Sequence, residues 1–451
     1  MSEPIYRILP AAAPDESALN EGLVSLLRFI VPAFSRFVLK IDTLRLIGAE
    51  RLIDAYQDFQ NGKSRLMLVF RHPYGDEPQI LGHALLRSLP RAAKRAGKPL
   101  KKKTHAHFIH GYEVPLWSPP AIGWLLPRAG ALPVHHSKLD SRGLARLRKT
   151  MLNGPYPLAL APEGQVSYSS QSLPRLERGF AHIGLWCADD LEKAGRTEQV
   201  SFLPLSVHYS YGKKGPKALE KALKLLEAEL GIEPLDKSPV LRLKEAAEKI
   251  VSLAEGFYTE LKVKLIDAAT KGSLQDRWAA ILETALSRAE RALNLSDDGD
   301  TIARVYRIRQ RGWDRIYRNT EKDISPLEKK LLDREAGEAW YAMRHMETAD
   351  IGWYIDFEAT IENDSIDLLI ERTLNYWDII SRLKGGNFSD RLNIGLKTVY
   401  LVAGNPIEIR SRPDLHGRDR KAQIEIIAKE LEKEYLHCID LYQKEHHDGK
   451  R

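Results

Sequence analysis

Only two cysteines, Cys187 and Cys438, occur in 451 residues, which excludes a disulfide-built scaffold and suits a reducing cytoplasm. Both read as small buried hydrophobes. Long hydrophobic runs are missing too. The most apolar stretch, Leu23 to Leu39, is broken by Arg28, Pro32 and Arg36, whereas a bilayer-spanning helix needs about 20 mostly apolar residues. The first residues carry Glu3, Asp15, Glu16 and Glu21 instead of a basic start and an apolar run, so no signal peptide is expected and the mature chain is expected to begin at its own start. The sequence also lacks a Walker or dinucleotide glycine fingerprint, an internal repeat, a low-complexity tract, zinc-finger spacing and an aromatic RNA-binding signature. Nucleic acid is therefore not an expected partner.

What is present is the composition of a globular protein that folds in water: 43% hydrophobic and 29% charged residues, in a length that suits one large elaborated domain or two domains. The net charge is +7. Arg87, Arg91, Lys94, Arg95, Lys98, Lys101, Lys102 and Lys103 follow one another with no acidic residue between them. Such a local positive field suits anionic lipid, the phosphates of coenzyme A or an acidic carrier protein, and equally an ordinary solvated face. Leu23 to Leu39 reads either as a helix lying in a membrane interface, arginines among headgroups, or as a core-facing helix.

From about residue 65 to 212, short apolar or β-branched runs alternate with helical patterns, the signature of an α/β layer. Strands are expected at Leu66 to Phe70, His105 to Ile109, Ala131 to Val134, Leu158 to Ala161 and Phe202 to His208. Helices are expected at Glu77 to Ala96, Ser141 to Leu152 and Gly179 to Ala194. From Pro216 to about Leu383 the pattern changes to long 3.6-residue periods. Strand character returns at Thr398 to Ile409, with a turn signal at Gly404, Asn405 and Pro406, and a last helix is expected over Arg420 to Tyr442. Five of the eight tryptophans, Trp278, Trp313, Trp340, Trp353 and Trp377, fall in the helical part and are expected in its core.

The residues that carry chemistry gather just after the first strong strand, in Arg71, His72, Pro73, Tyr74, Gly75, Asp76 and Glu77. An imidazole at a strand end can take a proton from a hydroxyl, and a carboxylate at the following helix start can orient the ring and stabilise the imidazolium. A structural histidine beside acids that serve the helix N-terminus would have the same pattern.

Together with the segments that follow it in order, this cluster resembles, through four blocks and the strand that comes after them, the glycerolipid acyltransferase family that includes the acylglycerol-phosphate acyltransferases. His72 to Glu77 resembles that family's histidine, four residues and aspartate, with glutamate in the aspartate's place. Gly123 to His136 (GWLLPRAGALPVHH) resembles its second block, with His136 where the family has a phosphate-contacting arginine. Ala161 to Ser167 (APEGQVS) and Leu176 to Phe180 (LERGF) resemble the third block and the basic residue and glycine after it. Phe202 to Val207 (FLPLSV) resembles the fourth, proline-bearing strand, and Ala403 to Ile409 (AGNPIEI) the strand that normally follows. The resemblance covers about half the chain.

The resemblance implies an α/β fold, an acyltransferase-type mixed sheet flanked by helices, with a large all-helical insertion or an appended helical domain. The expected layout is an N-terminal amphipathic helical region over 1–60, an acyltransferase core over 61–212, a helical insertion over 213–395, and a returning core strand with C-terminal helix over 396–451. It implies transfer of a fatty acyl chain from acyl-coenzyme A or acyl carrier protein to a hydroxyl of a glycerol-phosphate or lysophospholipid acceptor. His72 would be the general base, oriented by Glu77 or by Asp76. Glu163, Gly164, His136 and Arg178 would bind substrate. No cofactor or metal is implied, and the chain would work on the inner face of a membrane as a peripheral cytoplasmic protein. His136, Gln165, Val166 and Ser167 depart from the family pattern, which weakens the phosphate grip and leaves open a non-phosphate acceptor or a protein that binds acyl thioester or lipid without turnover. His105, His107, His110, His135 and His136 lack the remaining spacing of a metal hydrolase.

Overall fold

The computed structural model describes residues 4–11, 18–135, 140–233, 237–260, 272–319, 324–359, 364–386, 390–410 and 412–448. The chain divides into two compact units: Pro14–Ser210 with Leu396–Arg451, and Tyr211–Gly395 with Met1–Ala13.

The first unit opens with helix α1 (Glu21–Phe37), strand β1 (Ile41–Ile47) and helix α2 (Ala49–Gln60). Next come β2 (Ser64–Phe70), α3 (Glu77–His83), a π-helical turn (Ala84–Ser88) and α4 (Leu89–Arg95). After these follow β3 (His107–Gly111), α5 (Val114–Trp117), α6 (Pro120–Arg128), β4 (Leu132–Val134), α7 (Ser141–Asn153), β5 (Leu158–Leu160), α8 (Gly179–Lys193) and β6 (Gln199–Ser210). The described helices of the second unit come next in the chain: α9 (Gly215–Leu230), α10 (Pro239–Glu260), α11 (Leu274–Leu293), α12 (Thr301–Ile316), α13 (Pro326–Gly352) and α14 (Ile366–Leu383). The chain then re-enters the first unit through β7 (Lys397–Ala403), β8 (Ile407–Glu408) and α15 (Arg420–Asp448).

The sheet is mixed and eight-stranded, in the order β1-β7-β6-β2-β5-β3-β4, with β8 also paired to β6. The β6–β7 and β6–β8 pairs are antiparallel and the others parallel. Strands covered on both faces must be apolar throughout, and β2 (SRLMLVF) and β6 (QVSFLPLSVHYS) are buried along nearly their whole length. Pro204 can sit inside β6 because it falls between the stretch paired to β8 (Ser201, Phe202) and the stretch paired to β7 (Leu205 to Ser210). There the neighbouring ladder is already interrupted by the turn at Gly404 to Pro406, so a missing N–H is tolerated. One face of the sheet packs Leu52, Ile53, Tyr56, Ile80, Leu85 and Leu89 of α2 to α4. The other packs Leu147, Phe180, Leu185, Leu431 and Tyr435 of α7, α8 and α15. Cys187 and Cys438 are buried and unpaired, and burial pushes both thiols up to about 12, so neither is a nucleophile at neutral pH.

One expectation is corrected. Residues 41–47 fall in a region read as helical, yet they form β1, the edge strand paired in parallel with β7. Its pattern IDTLRLI mixes apolar residues with the exposed Asp42, Thr43 and Arg45, as suits an edge strand with one side open, and its register shifts between Ile41 and Thr43.

In the second unit, arginines are matched to paired glutamates across helices: Arg242 to Glu220 and Glu227, Arg304 to Glu283 and Glu290, Arg277 to Glu248 and Glu255. Trp278 is fully buried and donates to the Gly352 carbonyl at 3.1 Å. Trp353 departs from its expected place in the core, being 53% exposed.

Candidate functional site

His72 stands two residues beyond the C-terminal end of β2, which lies between β5 and β6. Concave sites form at such strand ends because the following turns diverge there. The turn that follows is shaped by Gly75, whose φ of 94° lies in the left-handed region that glycine occupies without strain. It brings the first residue of α3 back onto the histidine. Glu77 Oε2 lies 2.6 Å from His72 Nδ1 and accepts the Gly75 N–H at 2.7 Å. Its other oxygen accepts the Tyr74 N–H at 3.0 Å and lies 2.5 Å from the Tyr209 hydroxyl. The Glu77 side chain has no exposure, whereas that of His72 is 20% exposed.

A buried carboxylate is costly unless its oxygens are paired. Glu77 has four such partners and also sits in the first turn of a helix, where the backbone dipole favours an anion. Burial alone would lower the His72 pKa, but the hydrogen bond and charge of Glu77, with the charges of Glu163 and Asp76, outweigh it and raise the pKa above the usual histidine value. Because Nδ1 faces the carboxylate, it carries the proton and Nε2 is the basic nitrogen. Among the described residues nothing hydrogen-bonds Nε2.

The loop after β5 holds the same histidine from the backbone side. Glu163 accepts the His72 N–H at 2.8 Å through one oxygen and the Arg71 guanidinium through the other. The Arg71 and Glu163 side chains are each 1% exposed. Arg71 also donates to the carbonyls of Ser169 and Ser172, at 2.9 and 2.7 Å, and the Ser167 N–H donates to the His72 carbonyl at 3.0 Å. Gly164 has φ 76° and closes a turn onto the Ala161 carbonyl at 3.2 Å.

The residues singled out in the sequence are therefore distributed unevenly. His72, Glu77, Asp76, Glu163 and Gly164 come together. Asp76 is not the partner of His72: its oxygens face the Tyr209 hydroxyl and Lys397 Nζ, the latter at 3.1 Å. Glu163, expected as a ligand for substrate hydroxyls, has both its oxygens hydrogen-bonded internally and a side chain that is almost unexposed. Arg178 is drawn instead to α15, where it pairs with Glu425 and Glu432 at 3.0 and 3.3 Å. His136 lies outside the described residues.

The other histidines singled out in the sequence and described in the structure meet the backbone or stack. His105 Nε2 and His107 Nδ1 lie 2.8 and 2.7 Å from the carbonyls of Ala129 and Gly130, His110 Nδ1 lies 2.8 Å from the Gly111 carbonyl, and His135 stacks on Tyr112. No group of three His, Cys, Asp or Glu side chains among the described residues is arranged to hold a metal ion. Sequence reading missed Tyr209 and Lys397. Tyr209 lies just past the segment read as a strand, Lys397 just before another, and nothing in either local pattern signals the long-range contact.

No family model and no curated protein matches the chain.

Proposed function

We propose that the protein is an O-acyltransferase that moves a fatty acyl chain from a thioester, acyl-coenzyme A or acyl carrier protein, to the hydroxyl of a glycerol-phosphate or lysophospholipid acceptor. The observation that carries this reading is the buried Glu77 carboxylate on Nδ1 of a partly exposed His72 whose Nε2 has no partner among the described residues. That is the geometry of a general base held by an orienting anion.

In the reaction, His72 Nε2 accepts the proton of the acceptor hydroxyl as its oxygen attacks the thioester carbonyl carbon. The imidazolium is stabilised by Glu77. Collapse of the tetrahedral intermediate breaks the carbon–sulfur bond, and the departing thiolate takes the proton from His72. The products are an ester and a free thiol, and the base is regenerated. Arg71 and Glu163 act only as positioning residues, since both are sealed from solvent.

A lipid substrate is supported by α1. Phe29, Phe37 and Val38 are 67%, 71% and 55% exposed, and Leu26 and Ile30 about as much as Val38. Together they make an apolar face on a helix whose other side packs Val24 and Leu27 into the protein. Arg36, paired with Asp42, flanks this face and Arg28 lies toward the other side of the helix, basic residues that suit an interfacial helix on an anionic membrane. After α1 the chain meets Lys397, whose N–H donates to the Lys40 carbonyl at 2.9 Å and whose ammonium pairs with Asp76. The exposed face thus leads toward the site. No helix among the described residues is long and apolar enough to cross a membrane. On this reading residues 213–395 are a helical insertion between two strands of one acyltransferase-type catalytic domain, supported by the antiparallel pairing of β6 with β7.

The test is thiol release from long-chain acyl-coenzyme A and from acyl carrier protein, with glycerol phosphate, lysophosphatidate and neutral lysolipids as acceptors. Acceptor-dependent release supports the reading. Retained binding of acyl thioester or lipid without release from any pair contradicts it.

A further inference from the structure

The hydrogen-bond chain behind His72 does not stop at Glu77. Tyr209, next to last in β6 and 5% exposed, presents its hydroxyl to Glu77 Oε1 and to Asp76 Oδ1. Asp76 Oδ2 lies 3.1 Å from the ammonium of Lys397, the first residue of β7. That ammonium lies 4.7 Å from the Tyr209 ring centroid, and Tyr74 stacks on the same ring at 4.2 Å. Lys397 and Asp76 are 15% and 16% exposed, so their interaction is only partly screened.

A phenol has one proton and cannot donate it to two carboxylates at once. With Lys397 neutralising Asp76, the Asp76 carboxylate has its own cation and the Tyr209 proton is free to point at Glu77. A carboxylate that accepts a further hydrogen bond holds its charge less tightly toward the next proton. The charged groups around His72 come from every neighbouring element: Arg71 beyond β2, Asp76 in the turn, Glu77 of α3, Glu163 after β5 and Lys397 of β7. Two cations face three carboxylates, so the cluster becomes neutral when His72 is protonated. It is built to welcome that one proton, and each charge in it controls how firmly.

We propose that Lys397, acting through Asp76 and Tyr209, sets the proton affinity of His72 and so keeps it available as a base near neutral pH. Lys397 and Tyr209 are positioning residues: neither reaches His72. The catalytic consequence rests on the acyltransferase reading. The effect on proton affinity does not.

The experiment is an NMR titration of the histidine side chains in the full-length protein, with His72→Ala identifying the His72 signal. Lys397→Met removes a cation and should move the His72 midpoint upward by roughly half a pH unit or more, while Asp76→Asn removes an anion and should move it downward. Tyr209→Phe should move it upward, and Lys397→Arg should restore the original value. Where Lys397→Met does not fold, Lys397→Gln, which also removes the cation but keeps a polar end, carries the same test. Shifts of one common sign, or a midpoint that stays put in the folded variants, overturn the proposal. Absence of acyl transfer by the wild-type protein would sink the acyltransferase reading and leave this titration unaffected.

Discussion

Glu163 joins two consecutive residues of the site, accepting the backbone N–H of His72 at 2.8 Å with one carboxylate oxygen and the Arg71 guanidinium with the other. The loop that follows β5 thereby fixes the main chain at the point where β2 ends. Glu77 then fixes the imidazole itself. The backbone and the ring of one histidine are held by two different buried carboxylates.

Removing either charge from the inner pair leaves the other buried alone. Glu163→Gln should therefore lower unfolding stability by about 3–5 kcal/mol, as breaking a buried ion pair does. Replacing both, Arg71→Met with Glu163→Gln, should recover part of the loss. Urea unfolding followed by circular dichroism reads both; a Glu163→Gln protein as stable as wild type would show that the pair does not bear on stability.

The raised pKa of His72 dictates the direction of the pH dependence. The base acts in its neutral form, and a raised pKa keeps the imidazolium populated above the usual value of about 6.5. Turnover should then climb about tenfold per pH unit on the acid side and level off only above that value. The sign for stability is the opposite. The His72–Glu77 interaction favours folding below the unfolded-state pKa and fades as pH rises through the folded one. A rate profile with its acid midpoint below about 6 contradicts the assignment.

Two of the several histidines whose pKa burial lowers, His208 and His105, push acid stability the other way. Burial lowers His208 to about 3 and His105 to about 4, so both remain neutral in the fold where the unfolded chain takes up protons. Stability is complete above the unfolded pKa and is lost as pH falls toward the folded values, with a limiting slope of about 1.4 kcal/mol per pH unit for each residue. His208→Gln should flatten the slope of unfolding free energy between about pH 6 and 4 by up to one such increment. An unchanged slope would remove His208 from the acid response.

The exposed face of α1 offers a cleaner separation of binding from folding. Phe29→Ser with Phe37→Ser changes side chains that are mostly in water, so stability should stay within about 0.5 kcal/mol. Binding to anionic phospholipid vesicles, measured by sedimentation, should weaken tenfold or more, since each phenyl ring loses about 1.5–3 kcal/mol of burial in lipid. Undiminished binding would place the membrane surface elsewhere.

Much of the layer architecture was legible because its signals are local. The apolar run of β2, the 3.6-residue period of α7 and α8, and the Gly404 to Pro406 turn that separates β7 from β8 each declare themselves within a few residues. β1 escaped because its half-exposed pattern is short, does not alternate strictly and follows closely on a helix. The π-helical turn within Glu77 to Ala96 carries no distinct sequence pattern. At the site, the five-residue spacing of His72 and Glu77 was enough to suggest a pair. It could not choose between Glu77 and Asp76, because that choice is made by the left-handed Gly75 and by Tyr209 and Lys397, which lie 132 and 321 residues from the carboxylates they meet. Glu163 read as a ligand for substrate because burial is a tertiary property, and its two internal partners are supplied by another strand.

The most direct measurement of the central claim compares wild type with His72→Ala, each shown to be folded, for acceptor-dependent thiol release from a long-chain acyl thioester. The account predicts release by the wild type and a loss of at least about a hundredfold in the variant. Equal release by the two proteins would contradict His72 as the general base.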